Sequence, residues 1–356
     1  MDPEIIVTNL KQRYTGVSGT INALLPAQAA QLSVGFVGHD LPGAALAQSL
    51  HPNSFTKLSI WQAIRISGKR LPDGRKRIWH VRRDPEMILA LFVRDVLRCP
   101  IHIVFTSAAQ RHHSRFPRWL ISRMDAVIAT TAEAANYVRA AAIVPHGIDT
   151  LRFTPPDNKL EAWKQTGLPG KYGIGIFGRI RPEKGTDIFV EAMLQVLPEF
   201  PEFTAVMAGL CQPQFTSYQQ SLQDKIAAQN LGERLRFVGE IAPEAMSDWY
   251  RNTLITVASP RYEGYGLTVL EGMACGCAVV ASDTGIFKAV IKEGASGHVV
   301  AIEDVRALAD ALRKVMRDAE HARQMGLHGR QFVQEHYSSE SEARGIQAVY
   351  QGLWNS

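Results

Sequence analysis

Leu254-Ile-Thr-Val-Ala-Ser-Pro-Arg-Tyr-Glu-Gly-Tyr-Gly-Leu-Thr-Val-Leu-Glu271 reads as a strand, a glycine-punctuated loop and the start of a helix. The apolar run from Leu254 is stopped by Ser259-Pro260, and Leu267, Leu270, Met273 and Ala274 then recur on one helical face. Glu263 thus falls on a loop at the carboxyl end of a strand. Glu271 lies about two turns further on, inside the helix. Such a loop brings Glu263 and open backbone N–H groups to a small polar ligand, with Glu271 one layer deeper.

The same strand-then-helix alternation extends in both directions. Strands are expected at Glu4 to Leu10, Leu32 to Gly38, Ile78 to Arg82, Ile101 to Thr106, Ala126 to Thr130 and Ala142 to Pro145. In the second half they recur at Tyr172 to Phe177, Phe203 to Ala208, Leu235 to Val238, Leu254 to Ala258, Ala278 to Ala281 and Gly297 to Val300. Helical patterns fill the gaps, among them Pro85 to Leu97, Thr131 to Arg139, Thr186 to Leu197 and Phe287 to Glu293. Val305 to His336 and Glu340 to Trp354 close the chain with helix. This is βαβ alternation twice over, an α/β chain with two parallel sheets covered by helices. At 356 residues, two domains are expected. The polar, proline-containing stretch Thr150 to Gly170 is the candidate linker, with a first domain over 1–165 and a second over 166–356. The final helix, about 340–356, is expected to pack back on the first. Ligands of such sheets bind beyond the carboxyl ends of the strands, and a cleft between two facing domains is the default site.

Composition narrows the setting. No run of about 18 uncharged apolar residues occurs, and Met1-Asp-Pro-Glu4 lacks the layout of a signal peptide, so a cytoplasmic protein is expected. Cys99, Cys211, Cys275 and Cys277 have no zinc-type spacing and read as reduced, buried small residues. The net charge of +5 is unevenly placed. Arg65, Lys69, Arg70, Arg75, Lys76, Arg77, Arg82 and Arg83 are opposed within their stretch by Asp73 alone, which suits an anionic membrane face or a phosphorylated acceptor, or else a solvated loop. Nucleic acid is disfavoured, because the cluster carries no binding motif and few interleaved aromatics.

Four further turns carry chemistry. After the strand Tyr172 to Phe177 come Gly178-Arg179 and Lys184-Gly185, placing two cations at a strand's carboxyl end beside a helix start, a setting suited to a diphosphate. The same segment contains Gly173-x-Gly175-x-x-Gly178, which mimics a dinucleotide fingerprint. Its glycines lie within the strand rather than at its end, and no acidic residue follows the next strand, so a nicotinamide site is rejected. Near the N-terminus, Gly16 and Gly19 form a Gly-x-x-Gly turn into a helix. Val144-Pro-His146-Gly147 marks another turn, where His146 is either a ligand contact or a structural residue. Gln110, Arg111 and His112 follow the strand Ile101 to Thr106 and suit polar contact with an acceptor. His112-His113 is a poor metal pair, since adjacent side chains rarely chelate one ion.

Taken together and in this order, these motifs resemble the retaining glycosyltransferases of family 4, whose fold is GT-B, two Rossmann-like doubly wound domains. Thr8 to Thr20 and Phe105 to Arg111 are similar more narrowly to the lipopolysaccharide core mannosyltransferases of alpha-proteobacteria. The resemblance implies an acceptor-binding first domain and a second domain that binds a nucleotide sugar, most simply GDP-mannose. It implies catalytic roles for Arg179, Lys184 and Glu263, the first two neutralising the donor diphosphate. Donor contacts would come from Gly16, Gly19, Gly178, Gly264, Tyr265, Gly266, Leu267 and Glu271, with Glu271 on the ribose and the Gly16 to Gly19 turn closing over the phosphates. The acceptor would be lipid-linked or Kdo-containing, and the enzyme peripheral on the inner face of the inner membrane. No metal or other cofactor is expected; Asp-x-Asp does not occur. One departure stands out: Ala108 occupies the place where many family members carry a histidine after Thr-x, here Thr106-Ser107. Competing readings are a sugar-nucleotide epimerase of related fold, the same transferase class using a UDP-hexose, and a non-catalytic sugar-nucleotide sensor.

Overall fold

The computed structural model describes residues 2–13, 15–109 and 112–356. It divides into two compact units, one running to Asp149 and taking up Tyr337–Ser356, the other spanning Thr150–His336. The first unit holds a parallel sheet of β1 (Ile5–Asn9), β2 (Val34–Gly38), β3 (Phe55–Leu58), β4 (Arg77–Val81), β5 (Ile101–Ser107), β6 (Ala126–Ala129) and β7 (Ala142–Ile143), in the order β3-β2-β1-β4-β5-β6-β7. The second holds β8 (Tyr172–Phe177), β9 (Phe203–Ala208), β10 (Leu235–Gly239), β11 (Thr253–Ala258), β12 (Ala278–Ser282) and β13 (Gly297–Val300), in the order β10-β9-β8-β11-β12-β13. In each sheet the chain moves outward for three strands and then returns to pair with its first. Switch points therefore fall between β1 and β4, and between β8 and β11.

Strand β3 escapes the sequence pattern. It has four residues, Lys57 interrupts it, and Phe55 alone is buried, as befits an edge strand with one covered side. Three helices differ in extent from their patterns. Thr131 to Arg139 yields only Ala132–Ala135, Phe287 to Glu293 only Phe287–Val290, and Pro85 to Leu97 becomes helix Asp84–Leu91 with a π-helical turn, Phe92–Val96. The pattern from Val305 to His336 splits into Val305–Met316 and Ala319–His336. Asp318 Oδ1 accepts from the Glu320 and His321 amides, 3.0 Å each, and starts a new helix.

Residues 150–165, assigned from the sequence to the first domain, pack with the second unit. Lys159 Nζ donates to the Thr253 carbonyl at 2.6 Å and the Tyr250 carbonyl at 3.3 Å, while Trp163 is 1% exposed. The last helix, Ser339–Trp354, belongs to the first unit. Tyr350 Oη lies 2.5 Å from His80 Nδ1, and Trp354 Nε1 donates to the Lys76 carbonyl at 2.9 Å.

The basic stretch also changes character. Arg77 is 1% exposed and spans Asp2, the Pro3 carbonyl and the Ile66 carbonyl. Arg75 pairs with Glu4 at 2.6 Å and Asp73 at 2.6 Å and lies over the Trp354 ring. Arg82 is buried and Arg83 turns inward to Asn9 at the end of β4, so Arg75, Arg77 and Arg83 of the expected cationic face bind groups within the unit instead.

The false dinucleotide fingerprint has a packing cause. A Cβ at Gly173 would lie 2.3 Å from the Trp163 ring, and one at Gly175 2.3 Å from the Phe177 ring. Gly173→Val is therefore expected to cost about 2–3 kcal/mol through overpacking, read as a lower urea midpoint with unchanged slope.

Candidate active site

Arg179 and Lys184 follow β8, and Glu263 follows β11, so the two loops that flank the second unit's switch point supply all three. One hollow is lined by Gly178, Arg179, Lys184, Thr186, Ser259 and Glu263. Lys184 Nζ is 2.5 Å from Glu263 Oε2, while Glu263 Oε1 accepts from its neighbour Gly264 N at 3.1 Å. Arg179 is exposed at the rim. The loops approach so closely that a Cβ on Gly185, whose φ is +67°, would meet the Ser259 carbonyl at 1.7 Å. Ser259 Oγ donates to the Gly185 carbonyl at 2.9 Å.

A residue with no motif of its own locks this arrangement. Arg261 Nη1 and Nη2 donate to Asp187 Oδ1 and Oδ2 at 2.9 and 2.7 Å, its Nε to Glu303, and its backbone N to the Glu183 carbonyl at 3.0 Å. The bidentate pair joins the acidic loop to the first turn of helix Thr186–Val196. Tyr218 Oη adds a bond to Asp187 Oδ1 at 2.9 Å. Burial pushes the Asp187 carboxyl upward, but the bonds from Arg261 and Tyr218 outweigh it and hold its pKa below the usual value.

Behind the loop, Gly266 at φ +105° precedes helix Leu267–Ala274 and offers no side-chain cap to that helix's first turn. Gly264 and Leu267 are half-buried at this loop, whereas Tyr265 is 8% exposed and its carbonyl takes the Ile286 amide at 3.0 Å. Glu271 accepts from Tyr250 Oη at 2.8 Å, and burial raises its pKa against that bond.

Candidates in the first unit are more dispersed. Gly16 and Gly19 are the first turn of helix Gly16–Ala29 itself, not a loop before it. His146 is 6% exposed with Nδ1 3.0 Å from Glu342 Oε1, while Gly147 N donates to Glu342 Oε2 at 2.8 Å. This histidine braces the last helix. His112 is exposed and sits edge-on to Tyr137, with ring centres 5.0 Å apart. Gln110 and Arg111 lie outside the described residues.

Residues 159–332 match the family of glycosyl transferases group 1. Over 360 residues the chain is 40% identical to the lipopolysaccharide core biosynthesis mannosyltransferase LpsB of Rhizobium meliloti (strain 1021), an alignment covering 99% of this chain and 98% of LpsB. The chain belongs to the glycosyl transferases of group 1. It is also 38% identical to the mannosyltransferase LpcC of Rhizobium leguminosarum bv. viciae, over 99% of this chain and 97% of LpcC. Among solved structures, the C-terminal domain of a group 1 protein (LpcC) from Francisella tularensis matches 54% of this chain and 99% of its own at 35% identity and a TM-score of 0.52. Anabaena HepE in complex with UDP and glucose aligns over 98% of this chain and 99% of its own with a TM-score of 0.76 at 15% identity, a likeness of fold alone. The two doubly wound sheets are those of a GT-B glycosyltransferase.

Membership in this family gives the hollow at the switch point a glycosyltransferase context, and Arg261, Asp187 and Tyr218 become its scaffold. Their sequence signal was slight: an arginine after Ser-Pro and an aspartate in a helix's first turn. The stability that Asp187 contributes is present above its unfolded pKa of about 3.9 and is lost as pH falls through its lower folded value. Asp187→Asn is thus expected to unfold at lower urea than the parent at pH 7, the gap shrinking steadily as the pH drops below about 4.

Proposed function

We propose that this glycosyltransferase moves mannose from GDP-mannose onto a lipopolysaccharide core acceptor of the lipid A–Kdo type, with retention at the anomeric carbon. The observation that carries the reading is full-length identity of 40% and 38% to two proteins named as lipopolysaccharide core mannosyltransferases. The chemistry of the hollow supports it. Breaking the anomeric C–O bond leaves a diphosphate and an oxocarbenium-like sugar, so cations fixed at the leaving group lower the barrier. Arg179 and Lys184 supply that charge. With a diphosphate bound, Lys184 gains a second anion, and Glu263 Oε2 turns to sugar hydroxyls beside the N–H groups of Gly264 to Gly266. Glu271 takes the ribose. The acceptor hydroxyl attacks from the leaving-group face and gives its proton to the departing phosphate oxygen, a double displacement being the alternative course.

The test is a screen of GDP- and UDP-hexoses against a Kdo-containing lipid, read by mass. A hexose added from GDP-mannose is expected; predominant use of UDP-glucose overturns the donor, and epimerised donor without acceptor overturns the transferase. Lys184→Ala and Arg179→Ala should each lower kcat by about 10²–10³-fold.

An anionic membrane surface is the further partner in this reading. No helix among the described residues is long and apolar enough to cross a membrane. The amphipathic helix Arg115–Ser122, however, exposes Phe116 at 55% and Trp119 at 56%, their rings stacked 6.1 Å apart, with Arg115 and Arg118 also exposed. Apolar rings flanked by guanidiniums suit the boundary of an anionic bilayer better than the partly internal Arg65 to Arg83 stretch. Phe116→Ser with Trp119→Ser should reduce co-sedimentation with phosphatidylglycerol vesicles about tenfold, leaving thermal unfolding unchanged.

A further inference from the structure

Arg82 is 7% exposed, yet none of the described residues bonds its Nε, Nη1 or Nη2. A buried cation in that state is costly, since the desolvation of its donors goes uncompensated. Burial accordingly pulls its pKa below the ordinary arginine value.

Its position gives the cost a purpose. Ile78 on β4 packs in one cluster with Ile21 and Leu24 of helix Gly16–Ala29 and with Ile346 of helix Ser339–Trp354. Two residues on, His80 bonds Tyr350 from the same face; two further, Arg82 continues that face to the carboxyl end of β4. There the sheet reaches its switch point with β1, the edge where ligands of such sheets bind. Both covering helices start at this edge. One follows β1, and the other follows Ser338, which is bridged to Ile148 just past β7.

The surrounding negative charge is already engaged. Glu86 accepts from Leu10 N at 3.3 Å, Arg82 N at 2.9 Å and Arg83 Nη1 at 3.2 Å. Glu342 is taken by His146 and Gly147. Arg83 reaches the other way, with Nη2 3.0 Å from both Thr15 Oγ1 and Ser18 Oγ and Nη1 2.8 Å from Asn9 Oδ1. Thr15, the natural cap of helix Gly16–Ala29, makes no side-chain cap bond, and the first turn holds no acidic residue. Two arginines and an uncapped helix start thus lie at one sheet edge, and among the described residues the Arg82 guanidinium has no hydrogen-bonding acceptor.

We propose that Arg82 is an oxyanion-binding residue at the switch point of the first sheet, receiving a carboxylate or phosphate of a substrate. The identity of that substrate rests on the transferase reading; the site does not. The carboxylate of an acidic acceptor sugar and the donor diphosphate share this chemistry, and kinetics separates them.

Arg82→Met removes the charge while keeping much of the length. The variant should unfold at the same temperature as the parent or higher, because a buried guanidinium without hydrogen bonds has been replaced by an apolar chain. With GDP-mannose and a Kdo-containing lipid, the KM for acceptor should rise about tenfold or more with donor KM unchanged if the carboxylate is the ligand. A rise in donor KM alone would instead assign the site to the diphosphate. Arg82→Lys should recover part of the loss. If wild-type protein shows no transfer, the transferase reading fails, and pyrophosphate then tests the site alone. In an Arg179→Ala, Lys184→Ala background, saturating pyrophosphate should raise the melting temperature by about 2 °C, and adding Arg82→Met should abolish that shift. A lower melting temperature in Arg82→Met, with both KM values and the pyrophosphate response unchanged, would make Arg82 a structural residue and overturn the proposal.

Discussion

In a doubly wound parallel sheet, two adjacent strands at the switch point send their following helices to opposite faces, and the loops between them open onto a crevice that no crossover covers. In the second unit those strands are β8 and β11, and the candidate donor residues depend on how their loops are held. A cationic turn and an acidic loop would otherwise move independently. Close approach at Gly185, the Ser259 hydroxyl and the Arg261–Asp187 fork fix them to one another, so Lys184 meets Glu263 before any substrate arrives.

The first unit meets the same constraint with different means. At β1 and β4 the crevice is bordered by polar side chains drawn from several segments: Asn9 at the end of β1, Thr15 and Ser18 in the following helix turn, and Arg82, Arg83 and Glu86 after β4. The last helix closes one face, fastened at one end by Glu342 and at the other by Tyr350 and Trp354. A chain that leaves this unit at Thr150 and re-enters it at Tyr337 gives the unit part of its core from residues nearly two hundred positions away.

Much of this was legible in the amino-acid order because it depends on local periodicity. Buried parallel strands are short apolar runs, and the loops that follow them advertise themselves through Gly178, Gly185, Gly264 and Gly266. Where a signal depended on partners distant in sequence, local reading failed. Strand β3 has one buried residue in four and owes its existence to pairing with β2. The basic stretch looked like a surface because nothing nearby in sequence opposes it, yet Arg77 finds Asp2 and Arg83 finds Asn9. Arg261 carries no local pattern, and its importance comes from Asp187, 74 positions earlier.

The sequence by itself determined two α/β units, the turns that bear Arg179, Lys184 and Glu263, and the family to which those turns belong, since strand ends, glycines and helix starts are short-range properties of the chain. Tertiary structure alone decided where the unit boundary falls, which arginines face inward, that His146 is a brace, and that the Arg82 guanidinium is buried without a hydrogen bond from the described residues. Those outcomes depend on which strands become neighbours, and hydrogen bonds and ion pairs form between groups adjacent in space whatever their separation along the chain.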